Sequence, residues 1–209
     1  MTDYEAIQRS YDAVADEYAV RLHDELAGKP LDRALLSSLF EESGSGTVAD
    51  LGCGPGQVAA WLSERGAGTV GIDLSAGMVE VGRGRFPAVE FRQGDLLALP
   101  AKDEEFAAAV ALYTIIHLAE ADLSRAFAEF ARVLRPGGLL LLSFYIGDEV
   151  KNLNEWWGHD VDVDFHFRDP DHLAELLTTA GFDVEMRMER AGYPDEGDNR
   201  RAYQLARRI

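Results

Sequence analysis

The stretch VADLGCGPGQVAAWL, residues 48–62, places an apolar strand-like run, a glycine-rich turn and a helical pattern next to one another. Glycines at 52, 54 and 56 let the backbone turn sharply and approach a ligand closely, because a Cβ atom there would collide. In open α/β sheets, ligands bind outside the carboxyl ends of the strands, which is where this turn would lie. The stretch therefore predicts an α/β fold with a ligand site after its first strand.

The chain beyond this stretch alternates between apolar strand-like runs and helical patterns. Several runs are apolar at successive positions, which is typical of parallel strands covered on both faces. Strict alternation implies right-handed crossovers and an open, doubly wound sheet. The predicted strands are TVADLG (47–52), TVGIDL (69–74), AVEFRQ (88–93), FAAAVAL (106–112) and GLLLLSFY (138–145), with helices at 57–65, 75–84 and 122–134.

Both ends of the chain depart from this alternation. Two helices, at 3–19 and 30–42, are predicted before the first strand. The segment 146–168 is acidic and aromatic and is predicted to be irregular. The last predicted elements are a helix at 170–180 and two strands, near 182–189 and 201–207. Because no crossover helix separates these two strands, they are expected to pair antiparallel.

Length, charge and cysteine content limit the function. The chain has 209 residues, of which 47% are hydrophobic, and this favours one domain with a sizeable core. With 20 basic and 37 acidic residues the formal net charge is −17, which disfavours nucleic acid and membrane partners. Cys53 is the single cysteine, and no Cys/His zinc spacing is present, so no metal is expected.

The sequence also predicts where the protein resides. Its first residues include acids where a signal peptide would carry basic residues. No apolar stretch approaches the ~20 residues needed to span a bilayer. These two patterns predict a cytoplasmic protein.

Two further acids follow the next two predicted strands. Asp73 ends the second strand, about where an acid hydrogen-bonds ribose hydroxyls in nucleotide-binding folds. Asp95 follows the third strand, where its carboxylate or the neighbouring backbone could bind an adenine amino group. Each also fits a structural role, as a helix N-cap for Asp73 and in a turn for Asp95. Together with the glycine turn, however, they form one constellation at three successive strand ends.

The motifs DLGCGPG, GIDLS, QGDLLALP and LRPGGLLLLSF together resemble those of class I S-adenosylmethionine-dependent methyltransferases, of the type 11/25-like group that acts on small molecules. The resemblance runs from YDAVADEYA (11–19) to RAYQLARR (201–208), nearly the whole chain. It implies an α/β, doubly wound three-layer sandwich with a seven-stranded, mostly parallel sheet in the order 3-2-1-4-5-7-6. Strand 7 would be antiparallel, and the N-terminal helices would form a lid.

The resemblance implies a single methyltransferase domain over 1–209. Its expected parts are N-terminal helices and lid (1–42), a cofactor-binding core (47–145), a substrate-covering insertion (146–168), and a C-terminal helix with closing strands (169–209). The implied activity is methyl transfer to an O, N or C atom of a small molecule. The pattern LYTIIHL after strand four lacks the loop of base or amide methyltransferases and the acid of metal-dependent catechol types.

The resemblance further implies which residues hold S-adenosyl-L-methionine and its product S-adenosyl-L-homocysteine. Asp73 would hold the ribose hydroxyls, and Asp95 with Leu96 would contact the adenine amino group. Tyr11 and Tyr18 match aromatic positions of the family's N-terminal helix, although tyrosines at helical spacing also fit core packing. The expected cofactor-binding residues are Tyr11, Tyr18, Asp50, Gly52, Gly54, Gly56, Asp73, Leu74, Met78, Gly94, Asp95, Leu96, Leu112 and His117.

His117, just past strand four, is the candidate catalytic residue. Methyl transfer from a sulfonium needs alignment of the reacting atoms and no covalent nucleophile on the protein. A general base helps when the acceptor loses a proton, and imidazole titrates near neutral pH. Three roles for His117 remain open: a base, a substrate or cofactor contact, and a structural histidine.

The segment 146–168 would lie over the acceptor pocket. The residues expected to contact the substrate are Tyr113, Trp156, Trp157, Phe165 and Phe167. The alternative is that the aromatic residues of the segment anchor a long loop to the core. Asp160, Asp162, Asp164 and His166 would share one face of an extended strand, a spacing that fits a metal site or solvated acids on an edge strand.

Two other classes of protein remain open. An NAD-dependent oxidoreductase would also carry a glycine turn after its first strand, but Gln57 stands where that fingerprint needs a small residue. A catalytically silent cofactor-binding protein would carry the same motifs as an enzyme. A titration with nicotinamide cofactor distinguishes the first class, and turnover of labelled methyl groups distinguishes the second.

Overall fold

A computed structural model describes residues 4–194 and 196–209 of the chain. Its helices are α1 (Tyr4–Arg21), α2 (Pro30–Ser43), α3 (Gln57–Ser63), α4 (Ala76–Arg85), α5 (Leu123–Val133) and α6 (Pro170–Thr179), with short 3-10 helices at Glu25–Gly28, Ile115–His117 and Glu120–Asp122. Its strands are β1 (Val48–Leu51), β2 (Thr69–Asp73), β3 (Glu90–Gln93), β4 (Phe106–Leu112), β5 (Leu134–Tyr145), β6 (Val150–Trp156), β7 (His159–His166), β8 (Phe182–Arg190) and β9 (Arg201–Arg208).

The central sheet has seven strands in the order β3-β2-β1-β4-β5-β9-β8. The first five of these pair in parallel, and β9 is antiparallel to both of its neighbours. Strands β6 and β7 form a separate two-stranded sheet, so β8 and β9 occupy the places predicted for strands 6 and 7. Allowing for that shift in numbering, the predicted fold class is confirmed.

The central strands bury side chains on both faces of the sheet, which is why they are apolar at successive positions. In β5, Leu139 and Leu141 pack with residues of α2 and α3 in one cluster. The intervening Leu140 and Leu142 pack with residues of α5 and α6 in another. Helices therefore cover both faces and give the predicted three layers.

The prediction that 146–168 is irregular is wrong, because β6 and β7 form an antiparallel hairpin there. The hairpin turns at Trp157 and Gly158, whose φ angles of 54° and 86° are both positive, as a type I′ turn requires. Its buried face presents Val161 and Val163 to α1. The turn uses Trp-Gly instead of the Asn-Gly or Asp-Gly pairs that announce such hairpins, so the sequence carried no turn signal.

Helix α1 begins at Tyr4, so residue 3 of the predicted 3–19 helix lies outside the described residues. It contacts α4 on one side and β7 on the other. Asp12 fixes the first contact, because its Oδ1 accepts hydrogen bonds from Ser75 Oγ at 2.5 Å and from Gly77 N at 2.9 Å. No helix in the described part of the chain, α1 included, is long and apolar enough to cross a membrane.

Candidate functional site

A cavity opens at the carboxyl ends of β1, β2 and β4, with α1 along its side. Its volume is about 1120 Å³ including the open mouth. The predicted site residues that line it are Tyr11, Tyr18, Asp50, Gly52, Gly54, Asp73, Leu74, Asp95, Leu96, Leu112, Tyr113 and His117. The structure thus brings the glycine turn, the strand-end acids and the N-terminal tyrosines together.

Glycine is needed at the three positions of the turn for different structural reasons. All have positive φ angles, of 70° at Gly52, 53° at Gly54 and 90° at Gly56. A Cβ atom would lie 2.1 Å from Thr114 Cγ2 at position 52 and 2.4 Å from Phe91 Cζ at position 56, so packing excludes both. At Gly54 the nearest atom would be 3.8 Å away. Gly54 therefore leaves space in the cavity, whereas Gly56 lies outside it.

Asp73 connects the turn to the second strand. Its Oδ2 accepts a hydrogen bond from Gly54 N at 2.7 Å, and its Oδ1 accepts one from Ser75 N at 2.9 Å. Burial raises the pKa of Asp73 to about 6. The N-cap of α4 is Ser75, which accepts from Met78 N, so Asp73 does not have that role. Each carboxylate oxygen has a further lone pair for a ligand hydroxyl.

Two other acids of the cavity also accept hydrogen bonds from backbone N–H groups. Asp95 Oδ1 accepts a hydrogen bond from Leu97 N at 2.8 Å, which stabilises the turn after β3. Asp50 Oδ2 accepts one from Ala59 N at 3.0 Å, in the first turn of α3. Burial raises the pKa of Asp50 to about 7. For Asp95, the bond to Leu97 N is a structural role, and its place in the cavity lining is also compatible with binding a ligand.

His117 lies in the cavity wall between α1 and the hairpin. Its Nε2 is 2.7 Å from the Tyr11 hydroxyl oxygen, and its Nδ1 is 3.0 Å from the Asp164 carbonyl oxygen. The rings of Tyr11 and Phe165 pack against it at centroid distances of 5.4 and 5.1 Å. Burial lowers the pKa of His117 to about 4, so the imidazole is neutral at neutral pH.

Residues 48–138 match a family model described as a methyltransferase domain. The chain contains a methyltransferase domain. The matched range runs from β1 into β5 and includes the glycine turn, Asp73, Asp95 and His117. Helices α1 and α2, the hairpin and the last two strands lie outside the match.

Similar curated proteins carry methyltransferase names. One is a probable S-adenosylmethionine-dependent methyltransferase of Mycolicibacterium smegmatis, 35% identical over 141 residues, with 66% of this chain and 52% of the relative covered. A malonyl-[acyl-carrier protein] O-methyltransferase of Serratia marcescens is 30% identical over 151 residues, covering 71% of this chain and 58% of the relative. The chain spans about half the length of the curated relatives it matches.

Solved structures with the same fold include methyltransferases with 17–20% sequence identity. One is the 1,6-didemethyltoxoflavin-N1-methyltransferase of Burkholderia thailandensis, with a TM-score of 0.76, 99% of this chain and 88% of that chain covered. Another is a SAM-dependent methyltransferase of Methanosarcina mazei, with a TM-score of 0.74, 84% of this chain and 97% of that chain covered. The fold is therefore that of class I methyltransferases.

Part of the cavity wall carries charged residues that sequence reasoning missed. Lys29 Nζ lies 2.9 Å from Glu25 Oε2, and Glu25 Oε1 accepts a hydrogen bond from Gln57 Nε2 at 2.7 Å. Asp32 accepts from the Tyr203 hydroxyl at 3.2 Å. The lining residues without a sequence prediction are Tyr4, Ile7, Glu25, Leu26, Lys29, Asp32, Cys53, Gln57, Val58, Thr114 and Leu118.

One sequence signal could have found part of this wall. The buried residues of α2 are Asp32, Leu36, Leu39 and Ser43, so a carboxylate occupies an otherwise apolar and small stripe. A charge on a buried stripe must be paired, which marks it for attention. Lys29 and Glu25 lie on a short 3-10 helix and its end, where no periodic pattern identifies an inward side.

Seven predicted residues lie outside the cavity lining of the methyltransferase domain. They are Gly56, Met78, Gly94, Trp156, Trp157, Phe165 and Phe167. Met78 is buried beneath α1, and a Cβ at Gly94 would lie 2.4 Å from Pro100 Cδ. Phe167 stacks on Tyr145 at 5.3 Å.

The two tryptophans of the hairpin pack on the tyrosines of α1. Trp156 lies 5.6 Å from the Tyr11 ring and 5.7 Å from the Tyr18 ring, and Trp157 lies 6.0 Å from the Tyr18 ring.

The acids of the hairpin hydrogen-bond to a neighbouring side chain, because Asn152 Nδ2 donates to Asp162 Oδ1 and to Asp164 Oδ1. Among the residues that the structure describes, no group of three or more His, Cys, Asp or Glu could hold a metal ion.

Proposed function

We propose that the protein transfers a methyl group from S-adenosyl-L-methionine to an O, N or C atom of a small-molecule acceptor. The observation that carries the proposal is the position of Asp73 beside the glycine turn. Its carboxylate is 2.7 Å from Gly54 N and faces the same cavity. A carboxylate next to an open backbone turn suits the ribose hydroxyls of a nucleoside cofactor.

The polarity of the cavity supports this cofactor. Leu74 and Leu96 offer apolar contacts for a base, next to the Asp95 carboxylate. Gln57 Oε1 is buried and has no hydrogen-bond partner in the described part of the chain. An unpaired buried acceptor costs free energy, so a donor on the ligand would stabilise this atom. The residues present therefore fit a cofactor with both apolar and hydrogen-bonding parts.

The residues of this chain have a limited chemical task. When bound, S-adenosyl-L-methionine supplies a methyl group on a sulfonium whose sulfur leaves as a neutral thioether, S-adenosyl-L-homocysteine. The protein has to hold and orient the reacting groups and exclude water, and alignment can lower a barrier by roughly 7–11 kcal/mol. Helix α1 and the hairpin packed against it would help to exclude water, because Tyr11 and Tyr18 of α1 line the cavity.

The acceptor would be a small molecule at the wall formed by Glu25, Lys29, Asp32 and Tyr113. The net charge of −17 supports such a partner over nucleic acid or an anionic membrane, because those would be repelled. The relatives do not single out one acceptor. One is named for a malonyl-[acyl-carrier protein] and another, from Azoarcus, for trans-aconitate.

Calorimetry with S-adenosyl-L-methionine and S-adenosyl-L-homocysteine tests the binding part of the proposal. Asp73→Ala is expected to weaken binding by roughly 1.5–3 kcal/mol, because hydrogen bonds to a charged group are lost. Asp160→Ala, on the exposed side of the hairpin, removes the same charge and should bind like wild type. Equal affinities of the Asp73 variant and wild type would remove Asp73 from the site.

Two measurements separate the proposal from its alternatives. A titration with NADH should give no saturable binding, whereas an oxidoreductase would bind it. Transfer of a labelled methyl group over a panel of small-molecule acceptors should give product with at least one of them. A catalytically silent binding protein would bind the cofactor and methylate nothing.

A further inference from the structure

Three elements that are distant in sequence meet at His117. Tyr11 comes from α1, Asp164 from β7, and the imidazole from the short helix after β4. A backbone carbonyl can only accept a hydrogen bond, so the 3.0 Å contact with Asp164 requires a proton on Nδ1. Nε2 of the neutral ring is then an acceptor, and the Tyr11 hydroxyl donates to it at 2.7 Å.

This tautomer prevents His117 from acting directly as the base for a bound acceptor molecule. Its basic nitrogen is occupied by the Tyr11 proton, so an acceptor molecule in the cavity cannot reach Nε2 without displacing Tyr11. The Tyr11 oxygen keeps two lone pairs and belongs to a residue that lines the cavity. Tyr11 is therefore the member of the pair that can accept a hydrogen bond from a bound O–H or N–H group.

We propose that Tyr11 takes the proton of the methyl acceptor while its own hydroxyl proton moves to His117 Nε2. This inference rests on the proposed methyl transfer. A lone pair of the acceptor atom X forms the bond to the methyl carbon, and the C–S electron pair remains on sulfur. The X–H proton goes to Tyr11 Oη, the former Tyr11 proton goes to Nε2, and the X–H electron pair stays on X.

The proposed path conserves the net charge of the cavity. One positive charge is present before the step, on the sulfonium, and one after it, on the imidazolium, so the step does not create a new charge. The Nδ1–H of the imidazolium keeps its bond to the Asp164 carbonyl, which stabilises the cation. The ionisable groups that face the ring are Tyr11 from α1 and Asp164 and His166 from β7.

The hairpin acts here as a positioning element. The group that fixes the tautomer is a backbone carbonyl of β7, so its place depends on how β7 is held. Ser10 of α1 provides one such attachment, because its Oγ accepts a hydrogen bond from Asp162 N at 2.8 Å. The same attachment connects the helix that carries Tyr11 to the strand that carries Asp164.

The tautomer can be tested without an acceptor molecule. Imidazole ¹⁵N NMR of the protein, with signals assigned by their loss in His117→Gln, should show His117 protonated on Nδ1 alone. The ring should stay neutral from pH 8 to about 5.5, in line with a pKa of about 4. Tyr11→Phe should shift the Nε2 signal by removing its donor. An Nε2–H tautomer, or a charged ring at pH 7, would overturn the proposal.

Turnover tests the proton path itself. With an acceptor found in the panel of small molecules, Tyr11→Phe and His117→Gln should each lower the rate about 10²-fold or more. Calorimetry should give cofactor affinities close to wild type in both. Tyr193→Phe and His159→Gln, outside the cavity, are the matched controls. A wild-type rate in Tyr11→Phe contradicts the proton path, whereas a failure of the wild-type protein to bind cofactor contradicts the proposed function.

Discussion

The cavity has two halves that are built in different ways. On the sheet side, acids at the strand ends are held by nearby backbone groups, as Asp95 is by Leu97 N. On the cap side, formed by α1 and the hairpin, Tyr11 bonds to a histidine 106 positions away in sequence. The acids of the sheet side therefore bond to backbone groups within 19 positions of sequence, whereas the cap side depends on contacts between far more distant segments.

This difference has a consequence for stability. Residues on the sheet side belong to the buried core and should open only when the whole fold unfolds. The cap is attached through a small apolar cluster separate from the main core, together with hydrogen bonds and ring contacts, so we expect it to open by itself at a lower cost. Substitutions on the sheet side should therefore lower global stability, and substitutions in the cap should mainly change local opening.

The largest effect is expected at Gly52. Alanine there would place Cβ 2.1 Å from Thr114 Cγ2 at a φ of 70°. Overpacking costs about 1–3 kcal/mol and the left-handed backbone about 1–2 kcal/mol, so urea unfolding should show a loss of about 2–5 kcal/mol. Gly66→Ala has a φ of 97° but nothing within 4 Å, and should lose only about 1–2 kcal/mol. Similar losses in both variants would contradict the packing argument.

Asp50 should make the sheet side sensitive to pH. Burial raises its pKa from 3.8 to about 7, so the folded state holds this proton more tightly than the unfolded state. The contribution of Asp50 to the free energy of unfolding therefore falls as pH rises from about 4 to 7. Asp50→Asn cannot titrate, so its stability relative to wild type should increase by about 2–4 kcal/mol over that range and then level off. A difference that does not change with pH would exclude a proton on Asp50.

Ser10 tests the attachment of the cap. Ser10→Ala leaves Asp162 N–H without its 2.8 Å acceptor, which costs about 1–3 kcal/mol if the amide stays buried. Hydrogen exchange should become faster in α1 and β7 and stay unchanged in β1 and β4. Ser37→Ala, which removes a comparable serine-to-backbone bond within α2, is the control. An equal acceleration in β4 would mean that cap and sheet open together.

The sequence predicted the sheet side of the cavity better than the cap side, because contacts between distant segments leave no pattern in the sequence. The glycine turn and Asp73 follow their strands directly, so strand periodicity was enough to place them at one edge of the sheet. The helical spacing of the tyrosines in α1 predicted their stripe, but no pattern predicted that it packs against His117 and the hairpin. The Trp157–Gly158 turn lacks the usual hairpin residues, and the contact of Asp164 with His117 uses a backbone atom that no side-chain pattern encodes.

The smallest effect is expected when the cofactor closes the cap. Tyr4, Tyr11 and Tyr18 recur every seven residues, follow one stripe of α1 and all line the cavity. A filled cavity offers this stripe more contact than an empty one, so cofactor binding and closure of α1 should favour each other. We predict that residues 1–20, which include most of α1, form a lid; residues 1–3 lie outside the described residues.

Hydrogen exchange measures this lid directly. Without S-adenosyl-L-homocysteine, amides of residues 4–18 should exchange faster than those of β4. At ten times the dissociation constant, an opening that abolishes binding becomes about tenfold rarer, so the same amides should slow by up to about tenfold. The contacts of Asp12 with Ser75 and Gly77 set the starting protection, since α1 cannot lift without breaking them. A variant lacking residues 1–20 should keep the sheet folded by circular dichroism and bind cofactor more weakly. If residues 4–18 are equally protected with and without cofactor, α1 is part of the scaffold and the division of the cavity into a fixed half and a moving half is wrong.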